Sequence, residues 1–259
     1  MTPKYDQTLI QNLLDADAIE DASERADKQF LALDALVMAR GYRQYNHHLA
    51  WFRDPGFWSL WKQFPEWRRH RPERKFLVWS LYRSVAHLAP ATAECGVYTG
   101  GSSFLICRQG ERMGHLETHY GFDSFEGLSA PIAHDTPQTE TAYQWNQGDL
   151  AVDEEHVRSL LASCTTAKLY KGWIPDRFSE VRDQDQFSFV HVDVDLYEPT
   201  LASIEFFFPK LVSGGILLCD DYGSEACPGA RFAMDEYSQR HALGPVIDLG
   251  TGQGMLVKR

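Results

Sequence analysis

Past residue 90 the chain alternates between two hydrophobic periods. TAECGV (92–97), THYGFD (118–123), AKLYKG (167–172), FSFVHVD (187–193) and GILLCDD (215–221) are short apolar runs that read as buried strands. Between and after them apolar positions recur at helical spacing: about 101–110, DEEHVRSLLASC (153–164), a short helix near 175–182 and ARFAMDEYSQRH (230–241). In YEPTLASIEFFFPKLV (197–212), Leu201, Ile204, Phe208 and Leu211 share one face and Pro199 suits a first turn. Ser213, Gly214 and Gly215 then end that helix. PVIDLG (245–250) and GMLVKR (254–259), joined by a tight GTGQG turn, read as a hairpin. Five β/α alternations and a hairpin predict an α/β fold, a doubly wound, mostly parallel seven-stranded sheet with a C-terminal antiparallel hairpin.

The first 90 residues carry no clear strand. DADAIEDASERADKQFLALDALVMARGY (15–42) fits one or two helices, and ERKFLVWSLYRSVAHLA (73–89) another, with Pro90 beyond its end. WFRDPGFWSLWKQFPEW (51–67) holds Trp51, Phe52, Phe57, Trp58, Trp61, Phe64 and Trp67. So dense an aromatic group is either a core packed against the main domain, or a lid or subunit interface that shapes a substrate pocket. The expected division is a helical N-terminal extension at 1–90 and an α/β domain at 91–259.

Charge and cysteine usage narrow the function classes. A formal net charge of −11 argues against a nucleic-acid partner and against an anionic membrane surface. No apolar run approaches a membrane span, and the polar, acidic start reads as no signal peptide. The five scattered cysteines form no CxxC pair and read as reduced thiols of a cytoplasmic protein.

The chemistry gathers at strand ends. Asp193 and Asp195 follow the fourth strand, and Asp220 and Asp221 the fifth, one strand–helix–strand unit later. Such a unit is right-handed and brings both ends to the same sheet edge. Carboxylates there are costly unless neutralised, no basic residue adjoins them in sequence, and an oxygen-rich acidic group suits Mg²⁺. Replacing Asp193, Asp220 or Asp221 by Asn is therefore expected to spare the fold, or even to relieve repulsion. At the first strand, ECGVYTGGSS opens a glycine turn onto a helix start, with Glu94 before it. Its spacing is not G-x-G-x-x-G, which weakens a nicotinamide oxidoreductase reading. Asp123 ends the second strand, where an acid takes ribose hydroxyls or caps a turn. The long segment 124–149 reads as a cover over the bound molecule.

Together RKFLVWSLYRSV, ECGVYTGGSS, FDSFEGL, YKGWIPD, HVDVDLYEPT, FFPKLVSGGILLCDDYG and GQGMLVKR resemble the macrocin O-methyltransferase (TylF) family over about residues 74–259. The resemblance implies a class I, Rossmann-like methyltransferase domain using S-adenosylmethionine. Glu94, Gly96, Tyr98 and Ser102 would surround the methionine part, and Asp123 with Ser124 the ribose. Gly148 and Asp149, or Gly172 and Trp173, would lie near the adenine. Asp193, Asp220 and Asp221 match the family's metal positions, so the resemblance implies an Mg²⁺-dependent O-methyltransferase acting on a hydroxyl of a small molecule, a sugar moiety of a natural product or glycan. Methyl transfer needs alignment and an oxygen relieved of its proton, and a cation acidifies that oxygen. Three carboxylates leave room for two acceptor oxygens, as in a vicinal diol. Asp193 is the expected proton acceptor, with His191 and Asp195, on the same strand parity, as alternatives. The aromatic N-terminal segment favours a homo-oligomer. A methyltransferase-like binding protein without catalysis is the reading from another class.

Overall fold

The computed structural model describes residues 54–88 and 90–259, with scattered positions between 11 and 29. The chain forms two compact units, Met1–Arg53 and Asp54–Arg259. In the first, Gln11 and residues 14–16 are helical, and Gln11 Nε2 donates to Asp15 Oδ1 at 2.8 Å. Most of the expected helical stretch 15–42, with Trp51 and Phe52, lies outside the described residues.

The second unit opens with α1 (Pro55–Trp61) and α2 (Pro72–Val85). Asp54 caps α1 by accepting from Phe57 N at 2.8 Å. Five parallel strands follow: β1 (Ala91–Cys95), β2 (His119–Asp123), β3 (Ala167–Lys171), β4 (Phe187–Val192) and β5 (Leu211–Cys219). They are linked by α3 (Gly101–Met113), α4 (Glu154–Leu160) and α5 (Tyr197–Phe207), with a 3₁₀ turn at Asp176–Glu180. After α6 (Pro228–Arg240) come β6 (Ile247–Asp248) and β7 (Gly254–Val257). The sheet order is β3-β2-β1-β4-β5-β7-β6, so β7 pairs antiparallel with β5 and holds β6 at the edge. This is the seven-stranded doubly wound sheet that the hydrophobic pattern predicts. Every residue of β1 and β4 is buried, as central strands covered on both faces require. No helix among the described residues is long and apolar enough to cross a membrane, and all five cysteines are free and buried.

Two boundaries differ from expectation. The helix expected over 197–212 ends at Phe207, because Pro209 has no N–H with which to continue it. Leu211 already pairs with Phe187, and Gly214 N donates to Lys258 O at 2.7 Å, so Ser213 to Gly215 are ladder residues of β5. The expected division near residue 90 falls inside the second unit. α2 packs on α3, β4 and β5, where its Val78, Tyr82 and Val85 join Ile106, Phe189, Ile216 and Leu218.

The described part of the aromatic segment, residues 54–67, takes the packed-core reading. Phe57, Leu60, Trp61 and Phe64 are fully buried and meet Trp79, Phe104, Phe125 and Leu161 in one cluster. Phe64 lies 5.3 Å from the Phe104 ring of α3. The segment 124–149 has no regular structure beyond a 3₁₀ turn at Ala133–Asp135. Asp135 pins it down: Oδ1 accepts from Tyr197 N at 2.7 Å, satisfying an otherwise orphaned N–H in the first turn of α5.

If the aromatic segment is core, Phe64→Ala should cost about 3–5 kcal/mol through lost burial and a residual cavity. Urea denaturation followed by far-UV circular dichroism should show one transition at a lower midpoint. An unchanged midpoint would make the segment an appendage.

Candidate active site

The site is built where β1 and β4 leave the sheet. Gly96 has φ +84°, and a Cβ there would stand 1.8 Å from the Asp193 carbonyl oxygen. Asp193 N donates to Cys95 O at 2.7 Å, so the two strand exits run in direct contact. Only glycine permits both the left-handed backbone and this approach. Asp123, at the end of β2, braces the turn: Oδ2 accepts from Val97 N (2.7 Å) and Tyr98 N (2.8 Å), and Oδ1 from Phe125 N (2.7 Å). Burial nevertheless raises its pKa above the usual carboxylate range. Gly100 and Gly101 serve the protein itself, since a Cβ would meet Leu161 at 2.9 Å in the first case and Trp61 and His70 at 3.1 Å in the second.

A cavity of about 670 Å³ opens beside this turn. Of the residues expected around a cofactor, Gly96, Tyr98, Asp123, Ser124, Gly172 and Trp173 line it. Glu94, Ser102, Gly148 and Asp149 do not. Gly148 N donates to Leu128 O at 2.9 Å, and Asp149 O accepts from Leu128 N at 2.8 Å, so this pair props Leu128, which does face the cavity. Asp149 spends Oδ2 on Asn146 N at 2.9 Å. Ser102 is buried and accepts from Lys75 Nζ at 2.6 Å. Leu128, Ser129, Ile174 and Pro175 are wall residues missed by the sequence reading; nothing in their chemistry marks them.

Glu94 belongs to a buried network that crosses four strands. Its Oε2 accepts from Ser103 Oγ, and its Oε1 faces His191 Nδ1 at 2.9 Å. His191 Nε2 faces Asp220 Oδ1 at 3.1 Å, and Gln253 Nε2 donates to that same oxygen. Both ring nitrogens of His191 meet carboxylates, so the ring is an imidazolium. Burial opposes that charge, but the bonds to Asp220 and Glu94 outweigh it and raise the pKa to about 10. On the far side, Ser103 spends its proton on Glu94 and accepts from His119 Nε2 at 2.9 Å. His119 Nδ1 is then bare and accepts from Thr92 Oγ1 at 2.8 Å. Burial keeps His119 neutral, lowering its pKa to about 4.

At the cavity end of this network, Asp193, Asp220 and Asp221 bring carboxylate oxygens within 4.8 Å of one another. Basic residues absent from the neighbouring sequence arrive from α2. Arg74 contacts Asp220 and lies 2.9 Å from Asp221 Oδ1; Lys75 Nζ lies 3.7 Å from Asp193 Oδ2. The cluster's counter-ions thus come from α2 and not from the adjoining sequence. With every group ionised, the five acids Glu94, Asp193, Asp195, Asp220 and Asp221 would outnumber the three cations Arg74, Lys75 and His191 by two charges. That surplus is felt at Asp195, raised to about 7 by burial and by Asp193, and at Asp221, pushed well up by burial and its acidic neighbours. Asp221 Oδ2 is buried without a hydrogen-bond partner. A surplus of two charges, an orphaned carboxylate oxygen and an all-oxygen donor set fit a divalent cation.

The profile of the macrocin-O-methyltransferase (TylF) family matches residues 85–251. The chain belongs to the TylF family. Two characterised relatives come from Streptomyces. The 8-demethyl-8-(2,3-dimethoxy-alpha-L-rhamnosyl)-tetracenomycin-C 4'-O-methyltransferase of Streptomyces olivaceus is 30% identical over 170 residues, 61% of this chain and 62% of that protein. The demethyldecarbamoylnovobiocin O-methyltransferase of Streptomyces niveus is 29% identical over 157 residues, 56% of each chain. The match thus spans about three fifths of the length of these relatives. Among solved structures, the calicheamicin methyltransferase CalS11 aligns over 92% of this chain and 94% of its own, with TM-score 0.59 and 22% identity, a likeness of fold.

Two acids of the cluster, Asp220 and Asp221, should respond differently to neutralisation. Asp220→Asn strands the His191 imidazolium and should cost about 3–5 kcal/mol. Asp221→Asn removes a carboxylate that is already frustrated and should leave the melting temperature unchanged or higher without metal. Differential scanning fluorimetry in EDTA compares them; equal losses would mean that the His191 bridge carries no special stability.

Proposed function

We propose that this TylF-family protein is an S-adenosylmethionine- and Mg²⁺-dependent O-methyltransferase that methylates a hydroxyl of a small molecule, on a sugar moiety of a natural product or glycan. The observation that carries the reading is that Asp193 belongs at once to the cavity wall and to the carboxylate cluster. One residue thereby joins a cofactor-sized space to an acidic end. The relative named for a 4'-O-methylation on a rhamnosyl-tetracenomycin supports a sugar hydroxyl as acceptor.

In this reading the Gly96–Tyr98 turn, Asp123, Ser124 and the Gly172–Trp173 wall hold the cofactor, which supplies an electrophilic methyl on a sulfonium. Asp123 has already committed its oxygens to three backbone N–H groups, so its first duty is to set the shape of the turn. Its remaining lone pair is available to a ribose hydroxyl. Asp193, Asp220 and Asp221 hold the divalent cation, which orients and acidifies the acceptor oxygen. Asp193 takes the proton: burial and the neighbouring Asp220 raise its pKa, making it a better base than an ordinary carboxylate. His191 is fully buried with both nitrogens committed to carboxylates, which removes it from the acceptor's reach. Asp195, on the cavity wall, is the remaining alternative base.

Asp193→Asn should lower turnover of a glycosylated acceptor by roughly 10²–10⁴-fold, the range of a lost general base, while calorimetry with S-adenosylmethionine should show affinity within a few fold of wild type. Exhaustive chelation should abolish turnover and Mg²⁺ should restore it. Full activity in the chelated protein would remove the cation from the reaction; loss of cofactor binding in Asp193→Asn would move Asp193 from the base to the cofactor.

A further inference from the structure

The acidic cluster has a cation of its own. Arg74 projects from the first turn of α2, and a single nitrogen, Nη2, donates to the Asp220 carbonyl oxygen while meeting Asp220 Oδ2 and Asp221 Oδ1. That nitrogen carries two hydrogens and faces three acceptors. Its geometry is unlike a guanidinium settled on one carboxylate, which uses two parallel N–H···O bonds. Meanwhile Arg74 Nε is buried with no partner, and so is Asp221 Oδ2. One nitrogen is wedged between two carboxylates, while a donor and an acceptor nearby go unsatisfied. The oxygens that it contacts come from two of the three residues whose carboxylates converge within 4.8 Å.

The neighbouring cation behaves differently. Lys75 is buried, donates to Ser102 and faces Asp193, so it is built into the fold. The Arg74 side chain is 26% exposed and has solvent to retreat into. A buried charge left unpaired is costly, and for Asp220 and Asp221 the nearest movable partner is this guanidinium.

We propose that Arg74 is a displaceable counter-ion: it occupies the space between Asp220 and Asp221 until a divalent cation enters, and then gives up those oxygens. The inference rests on the metal reading given above and adds to it a competitor inside the protein. Cation affinity is then set by the acids minus the work of expelling Arg74, and the same side chain protects the cluster from self-repulsion when no cation is bound.

The test is calorimetric titration of Mg²⁺, and separately Mn²⁺, into the full-length wild type, Arg74→Gln and Arg74→Lys. Arg74→Gln should bind roughly tenfold more tightly, the change expected from one charge-assisted hydrogen bond no longer to be broken. Arg74→Lys keeps the charge on a shorter side chain that reaches less far between Asp220 and Asp221, and should also bind more tightly than wild type. Melting should agree, with a lower midpoint for Arg74→Gln in EDTA and a larger rise on adding Mg²⁺. Affinity in Arg74→Gln equal to or weaker than wild type overturns the proposal. So does tighter binding in Arg74→Gln with Arg74→Lys unchanged, since net charge alone would then explain the result. If both variants fail to fold, a wild-type Arg Nε–H NMR spectrum decides: an arginine signal that shifts with Mg²⁺ supports displacement, and a spectrum without change overturns it. Wild type and variants that all take up S-adenosylmethionine but neither ion would overturn the metal reading itself, an outcome distinct from the others.

Discussion

Everything at this site hangs on the imidazolium of His191 between two buried carboxylates. Glu94 on β1, His191 on β4 and Asp220 just past β5 lie on three adjacent strands, and each alone would be expensive in the core. Joined, they make a charge-assisted pair of bonds on either side of one ring. The bridge fixes the register of the strand ends laterally, and so sets where Asp193 and Asp221 can stand. Ser103, His119, Thr92 and Gln253 satisfy what remains, so that the network closes without an unmade bond at Glu94.

The frustration has been moved to the cavity side. There the acids outnumber the bases, Asp221 keeps an orphaned oxygen, and Arg74 Nη2 is spread over more acceptors than its two hydrogens can serve. Satisfied bonds behind and unsatisfied ones in front is the arrangement of a site that waits for a ligand while its scaffold stays rigid.

Much of this was legible in the sequence, for identifiable reasons. The alternation of strand and helix periods, and the rule that a right-handed crossover aligns strand ends, were enough to gather Asp193, Asp220 and Asp221. The glycine turn and Asp123 were placed by the same logic. Arg74 and Lys75 escaped because a basic pair at the start of an amphipathic helix looks like a solvated face, and only the packing of α2 on α3, β4 and β5 turns it inward. Glu94 adjoins the glycine turn in sequence, but its carboxylate is spent on Ser103 and His191. Gly148 and Asp149 were expected near the adenine from the family resemblance alone, and their backbone supports Leu128. The end of α5 was misjudged because Pro209 outweighs the two glycines that follow.

The position of β7 within the sheet also has a bearing on the order in which the site can be assembled. Ribosomes deliver Glu94, His191 and Asp220 in that order, and Gln253 only afterwards, on the turn leading into β7. Until that last segment inserts between β5 and the edge strand, Asp220 lacks the Gln253 donor and β5 presents an open ladder. The acidic centre is thus among the last parts of the protein to mature during synthesis, so a nascent chain holds its carboxylates only loosely until its sheet is whole.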